Sequence, residues 1–439
     1  MTGQRNKGLA VPATRLARLG RLGTMTAGIA GNMALGGVAQ LGRGQRPDWR
    51  GLLLTPSNIS RVADQLSKMR GAAMKIGQLA SMDTGDFLPP ELAQIMARLR
   101  DDANFMPPAQ LKKVLASEWP TGWLQQFSRF DVRPIAAASI GQVHRARLHD
   151  GRDMAIKVQY PGVARSIDSD VANVGALIRM SGMLPKGFAL EPYLAEATRQ
   201  LHEETDYARE AAYLRRFTRL LAGTDGFVLP AVHSDWCTGR ILAMDFIEGR
   251  PIEEAASQPL ETREAIMGRL IDLTLKELFK FKLMQSDPNF ANYRFDPATG
   301  NIILLDFGAA RDIGNEISRC YRSLLVSGLR GDVARVEHAA LSIGFISENM
   351  ENQHRRQVLE LIHMAFDALR APVFDFNDTT FSHRMQKAGE ALAQDGFVPP
   401  VLPMDLLYLQ RKFAGMFLLG ARLKVRLPVA DMLRAYLAA

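Results

Sequence analysis

Asp287-Pro-Asn-Phe-Ala-Asn292 and, fourteen residues further on, Asp306-Phe307-Gly308 offer two carboxylates and a carboxamide to a single site. An Asp followed five positions later by an Asn is the D-x-x-x-x-N spacing of phosphoryl-transfer loops, in which the Asp faces the nucleophile and the Asn holds a magnesium ion. The D-F-G carboxylate completes such a metal site. Asp287 is therefore the candidate catalytic residue, and Asn292 and Asp306 are the candidate metal ligands. Mg2+ takes oxygen ligands and keeps several waters, so these side chains and nucleotide phosphates suffice. The tripeptide alone is a weak signal; joined to the upstream loop it is specific. The surrounding pattern agrees: Asn301-Ile-Ile-Leu-Leu305 reads as a short apolar strand delivering Asp306, and Asp296-Pro-Ala-Thr-Gly300 as the turn that pairs it with residues 293–295.

A site of this kind needs a cation for the phosphates, and the elements that would carry one lie upstream. Residues 142–148 read as a strand, His149-Asp-Gly-Arg152 as a hairpin turn, and Met154-Ala-Ile-Lys157-Val-Gln-Tyr160 as a second strand. Lys157 occupies the place of the V-A-I-K lysine. With a period of two, Lys157 shares a face with Ala155 and Gln159 and points away from Met154, Ile156 and Val158, toward a nucleotide. Such a lysine needs a carboxylate on a helix. The segment 194–214 has a helical period, with Ala197, Leu201, Ala208 and Ala211 on one stripe and Glu204 among them. A lone carboxylate on an apolar stripe is costly unless paired, which makes Glu204 the expected partner of Lys157, with Glu203, Asp206 and Glu210 as rivals.

At these residues the chain resembles the UbiB/AarF/ADCK atypical kinases, the protein-kinase-like proteins of ubiquinone biosynthesis. Lys75-Ile-Gly-Gln78 is similar to that family's KxGQ motif. Ala136-Ala137-Ala138-Ser139-Ile-Gly-Gln142 is similar to its alanine-rich nucleotide loop, and Glu204-Thr-Asp206-Tyr-Ala-Arg-Glu210 to its ExD segment. The similarity runs in family order from about Val11 to the end of the chain. It implies an α+β, two-lobed protein-kinase-like fold with an N-terminal helical KxGQ extension. It also implies ATP and Mg2+ as cofactors, with Ala136, Ala137, Ala138, Ser139 and Lys157 at the nucleotide and Lys75 and Gln78 as functional residues of a lid across the site. Met244-Asp-Phe246-Ile is expected as the hinge along the adenine.

Departures from ordinary protein kinases bear on the chemistry. The glycine-rich loop is replaced by an alanine run, whose β-carbons restrict the approach of backbone to phosphates. Gln285-Ser286 stands in place of His-Arg, and Asn289 where a lysine usually neutralises the transferring phosphoryl group. No A-P-E follows the D-F-G, because residues 298–371 contain no proline. Binding of Mg-nucleotide and slow hydrolysis are expected ahead of protein phosphorylation.

The chain has 439 residues, 47% of them hydrophobic, enough for one two-lobed domain with extensions. Cys237 and Cys320 lie far apart without metal-type spacing and are expected to be reduced, and the eight histidines form no zinc motif. Of the net charge of +8, seven units fall on residues 1–47 (Arg5, Lys7, Arg15, Arg18, Arg21, Arg43, Arg46), which carry no acidic side chain. A basic arm can meet nucleic acid or a membrane. Between Arg21 and Arg43 lie twenty-one uncharged residues with Gly23, Ala27 and Gly31 in small-xxx-small spacing. Gly, Ala, Asn32 and Gln40 make stable insertion poor. The arm is therefore read as a peripheral or oligomer-forming element at an anionic membrane, with a homodimer among the expected assemblies and no nucleic-acid partner.

The expected organisation is a membrane-associated arm (1–46), a helical extension (47–130, the helix itself from about Pro56), a small lobe (131–247) with an insertion at 161–190, and a helical large lobe (248–439). Near the end, Phe413–Ala421, flanked by Arg411, Lys412, Arg422, Lys424 and Arg426, is too short to span a bilayer and is read as a core helix with basic ends. The expected function is a Mg-dependent ATPase or atypical kinase supporting ubiquinone biosynthesis. Its expected partners are an isoprenoid quinone-precursor lipid and other enzymes of that biosynthesis. The expected location is the cytoplasmic side of a bacterial inner membrane, or alternatively the matrix face of the mitochondrial one. A nucleotide-gated scaffold without phosphotransfer is the alternative, and a small-molecule kinase a third.

Overall fold

A computed structural model describes residues 66, 69–84, 105–180, 190–287, 289–397, 400 and 402–437. The basic arm, the start of the extension at Pro56, Ile59 and Val62, and residues 183–187 of the insertion lie outside the described residues. So does the side chain of Gln78. The described chain forms two compact units. One takes residues up to Ala212 together with Ala231–Phe246; the other takes Tyr213–Pro230 and the residues from Ile247 onward.

In chain order the first unit begins with α1 (Arg70–Thr84) and α2 (Pro108–Glu118). Then come β1 (Phe127–Phe130), β2 (Ala136–Ala137), β3 (Gly141–Leu148), β4 (Asp153–Gln159), α3 (Val163–Met180) and α4 (Glu191–Glu204). Helix α5 (Tyr207–Leu220) follows, then β5 (Phe227–Val228) of the second unit, and β6 (Ile241–Asp245) returns to the first. The sheet order is β1-β3-β4-β6, with β2 beside β3. The β3–β4 hairpin is the one read from His149-Asp-Gly-Arg152, and its register pairs Val143 with Lys157, which pairs on its other side with Leu242. Met154, Ile156 and Val158 pack with Leu111, Leu115, Trp119 and Phe127 in one core. Residues 127–130, read as the end of a helical extension, are instead strand β1: Phe127 and Phe130 pair with Leu148 and Ala146 of β3, and the aromatic cluster around Trp119 supplies the burial that decides it.

The second unit adds β7 (Arg250–Pro251), α6 (Leu260–Lys276), β8 (Leu283–Gln285), β9 (Tyr293–Phe295), β10 (Ile302–Leu304) and β11 (Ala310–Asp312). It continues with α7 (Asn315–Arg330), α8 (Val333–Ile343), α9 (Asn352–Leu369), β12 (Phe374–Asp375), α10 (Thr379–Gln394), α11 (Met404–Leu423), β13 (Arg426–Leu427) and α12 (Val429–Leu437). Strands β5-β10-β9-β7 form one small sheet, and β8 pairs with β11. The turn at Asp296 is built as its residues dictate: the Asp296 carboxylate accepts from Ala298 N and Thr299 Oγ1, and Gly300 N donates to Asp296 O. Helix α11 buries Leu406, Leu407, Tyr408, Leu409, Met416 and Leu419 and is a core helix. No helix among the described residues is long and apolar enough to cross a membrane.

Candidate nucleotide and metal site

Lys157 sits mid-strand in β4. Both faces of that strand are buried, Ala155, Lys157 and Gln159 at 7%, 7% and 4% exposure, and Gln159 Nε2 donates to Thr205 O at 2.6 Å. Lys157 Nζ donates to both carboxylate oxygens of Glu210 at 2.9 and 2.8 Å, with the Tyr207 ring 5.3 Å away. The partner expected from the helical stripe, Glu204, is therefore not the partner of Lys157. The period of 194–214 is interrupted: Thr205 turns back on His202 and Leu201 and ends α4, and Asp206 restarts the helix by accepting from Arg209 N at 2.9 Å. That break resets the phase and turns Glu210, in the first turn of α5, toward β4. A carboxylate there is also favoured by the helix dipole. Thr205-Asp206 is a capping signal that a continuous stripe overlooks.

Glu204 does something else. It forms an ion pair with Lys75 of α1 and accepts from Ser139 Oγ at 2.7 Å. One carboxylate thereby joins the KxGQ helix to the alanine-rich loop. Lys75 is 6% exposed. The fit is close, since a Cβ on Gly71 would lie 3.1 Å from Ser139 O. In the loop, Ala136 and Ala137 pair with Val143 and Gln142, and Ala138 N donates to Gly141 O. A Cβ at position 141 would lie 2.5 Å from Val158 O, so only glycine lets the loop close onto β4. Gln142 Oε1 accepts from Met106 N at 2.7 Å, and its Nε2 lies 2.9 Å from His144 Nε2. On β6, Met244 pairs with Ala155, and Phe246 N donates to Asp153 O beneath the Arg145 guanidinium, 3.9 Å from the ring centre. The Arg145 hydrogen bond, with Arg147 behind it, holds the Asp153 carboxyl down at about 2.

In the second unit, Asp287 lies two residues beyond the end of buried β8. Asn292 Nδ2 donates to Asp287 O at 3.1 Å and to Asp287 Oδ2 at 3.2 Å. The other carboxylate oxygen of Asp287 accepts from Arg411 at 3.1 Å. Leu305 N donates to Asn292 O, so the β9–β10 pairing sets Asn292 beside the strand that delivers Asp306. Asp306 Oδ1 accepts from Gly308 N at 2.9 Å, and Phe307 is buried against Phe217, ring centres 4.9 Å apart. Ser286 Oγ donates to Ala309 O at 2.7 Å, and Ala310 pairs with Gln285, so both loops leave from one β8–β11 ladder. The donors are all oxygens, a carboxamide and carboxylates on adjacent segments, which fits Mg2+ and not zinc. No group of three His, Cys, Asp or Glu side chains able to hold a metal occurs among the described residues.

Arg411 and Lys412, read as basic ends of a core helix, are part of this apparatus. Lys412 is 1% exposed; its Nζ donates to Gln285 O at 3.0 Å and Tyr293 Oη at 2.9 Å and lies 3.2 Å from Glu277. Burial pulls this ammonium downward, but Glu277 and Tyr293 outweigh it and hold Lys412 well above its usual range. Glu277 Oε1 accepts from Gln285 N, so the pair grips both backbone groups of the residue two before Asp287. The signal was present: Tyr408, Lys412, Met416 and Leu419 fall on one helical stripe, and a charge on an apolar stripe asks for a buried partner.

A strand lysine held by a helical carboxylate in the first unit, and Asp…Asn and D-F-G loops leaving β8 and β10 in the second, are each features of the protein-kinase-like class. Residues 98–340 match the family model described as the ABC1 atypical kinase-like domain. The chain belongs to this atypical kinase family, the UbiB/AarF/ADCK group. It is 38% identical to "Atypical kinase COQ8, mitochondrial" of Saccharomyces cerevisiae over 98% of this chain and 86% of that protein. It is 36% identical to "Atypical kinase COQ8B, mitochondrial" of Danio rerio over 98% and 69% of the respective chains. Among solved structures, Rv3197 of Mycobacterium tuberculosis, in its erythromycin complex, superposes with a TM-score of 0.61 at 24% identity, covering 87% of this chain and 96% of that one, and shares the fold.

Proposed function

We propose that the protein is a Mg-dependent ATP-binding atypical kinase or ATPase that supports ubiquinone biosynthesis at a membrane. The observation that carries this is the set Asp287, Asn292 and Asp306, two strands' worth of oxygen donors fixed by the β9–β10 pairing. Lys157 would bind nucleotide phosphates, and Glu210 would orient it. Ala136, Ala137, Ala138 and Ser139 would line the nucleotide, with Met244 and Phe246 along the adenine. Asn292 and Asp306 would hold magnesium, which supplies positive charge at phosphate oxygens. Asp287 would take a proton from the attacking nucleophile. Lys75 and Glu204 would couple the KxGQ helix to the alanine loop.

The biosynthetic role follows from family membership. Its partners would be an isoprenoid quinone precursor, enzymes acting on it, an anionic membrane reached by the basic arm, and a second copy in a homodimer. The site of action would be the cytoplasmic face of a bacterial inner membrane or its mitochondrial counterpart. The test is ubiquinone content in cells lacking the protein: wild type should restore it and Asp306→Asn should not. Restoration by Asp306→Asn would refute a nucleotide-dependent role. A second reading, a nucleotide-gated scaffold without phosphotransfer, is favoured by Arg411, whose bond to Asp287 competes for the carboxylate needed as proton acceptor. Mg-ATP binding without measurable hydrolysis would support that reading.

A further inference from the structure

Helices α6, α7, α9, α10, α11 and α12 line an open cleft of about 610 Å³ in the second unit. No charged side chain lines it. Six phenylalanines (Phe366, Phe374, Phe376, Phe381, Phe413 and Phe417) make up much of its wall, with Met385 and Met416 among them. Of its polar lining residues, Thr274 and Ser382 spend their hydroxyls on their own helices, donating to Leu270 O and Asp378 O. The third, Tyr321, is 5% exposed, and its hydroxyl has no hydrogen-bond partner among the described residues.

An uncharged apolar cleft of this volume, open to solvent, marks a ligand or lipid site rather than an ordinary surface. Water in such a cleft finds few polar partners, so an apolar guest gains by displacing it. The walls are not packed shut: in α9 Phe366 and in α10 Leu392 are the buried residues, although both helices turn apolar residues such as Ile362, Leu369, Phe381 and Met385 to the cavity. Methionine and phenylalanine together form an adaptable surface for a flexible apolar guest. At about 30 Å³ for a water- or methylene-sized group, the space holds on the order of twenty such groups.

We propose that this cavity is a binding site for the hydrocarbon chain of a polyprenyl lipid. The choice of a polyprenyl over an acyl chain rests on the ubiquinone-biosynthesis reading; the presence of a hydrocarbon site does not.

The test uses delipidated full-length protein and geranylgeraniol as probe, with palmitic acid as comparator. Native mass spectrometry should show one geranylgeraniol per chain, and a photoactivatable diazirine analogue should label peptides of α9, α10 and α11. Ala365→Trp and Ser382→Phe, fillers on two different helices, should each weaken binding at least tenfold. Both should leave the thermal shift given by Mg-ATP unchanged, since neither residue belongs to the nucleotide and metal residues. The proposal is overturned if wild type shows no saturable binding, if label maps outside the second unit, or if both folded fillers bind like wild type. It is equally overturned if the cavity face proves buried between two copies in solution. Palmitic acid binding more than tenfold tighter than geranylgeraniol would overturn the polyprenyl assignment. Because Mg-ATP binding is read on the same samples, failure of the cavity and failure of the kinase reading are separable.

Discussion

Replacing Lys412 by methionine keeps an unbranched side chain, one atom shorter, and deletes its charge, so the variant probes the ion pair beneath Asp287. In the wild type both Lys412 and Glu277 have about 1% of their side chains exposed. Removing one partner of a buried pair leaves the other uncompensated, which costs about 3–5 kcal/mol. For a unit of this size that is a fall in melting temperature on the order of 10 °C. The loss should depend on pH. Burial already drives the Glu277 carboxyl above its usual range, with Lys412 pulling against it. Without Lys412 its folded pKa rises further. A group whose folded pKa exceeds its unfolded one contributes stability at low pH that is lost as pH rises through the folded value. Lys412→Met should therefore be least destabilised near about pH 5 and most near about pH 8. The double variant Glu277→Gln/Lys412→Met removes both charges and should recover more than half of the loss. Chemical denaturation across pH, with Mg-ATP binding on the same samples, measures this. A cost below about 1 kcal/mol at neutral pH, the range of exposed pairs, or a double variant no better than the single one would refute the reasoning.

Glu210→Gln should weaken Mg-ATP binding at least tenfold by removing the Glu210 carboxylate that orients Lys157, whereas Glu204→Gln should leave binding closer to wild type while loosening α1 from the alanine loop; calorimetry and hydrogen exchange of α1 decide, and the reverse order would contradict the assignment of partners. Burial holds the His144 imidazole below its usual value, against the bond to Asp131 O that raises it. Its stability contribution is thus complete above about pH 6.5 and lost as pH falls through the folded value. His144→Gln should flatten that acid limb, and an unchanged slope would count against it. Deleting residues 1–46, which hold seven of the eight net positive charges, should remove most flotation with anionic vesicles at low salt; equal flotation would exclude the arm.

Much of this was legible because short-range rules govern it. The β3–β4 hairpin, the Asp296 turn and the strand before Asp306 are fixed by residues a few positions apart, and each stands where its turn residues put it. The core character of α11 followed from its apolar run. What was misread depends on chain that is distant or on phase. Glu204 was assigned to Lys157 by carrying one helical period across Thr205-Asp206, where a cap ends one helix and begins another. Residues 127–130 lack a strong period, and their strand state is decided by pairing with β3 and by Trp119. Arg411 and Lys412 lie more than a hundred residues from Asp287 and Gln285, so no local pattern names their partners.

The central claim, that Asp306 with Asn292 makes this an Mg-nucleotide site, is tested most directly by thermal stabilisation of purified protein with ATP, with and without Mg2+. Wild type should be stabilised by Mg-ATP and much less by ATP with a chelator. Asp306→Asn, folded and with an unchanged melting temperature in the absence of ligand, should gain nothing from Mg-ATP. Undiminished stabilisation of Asp306→Asn by Mg-ATP would contradict the account.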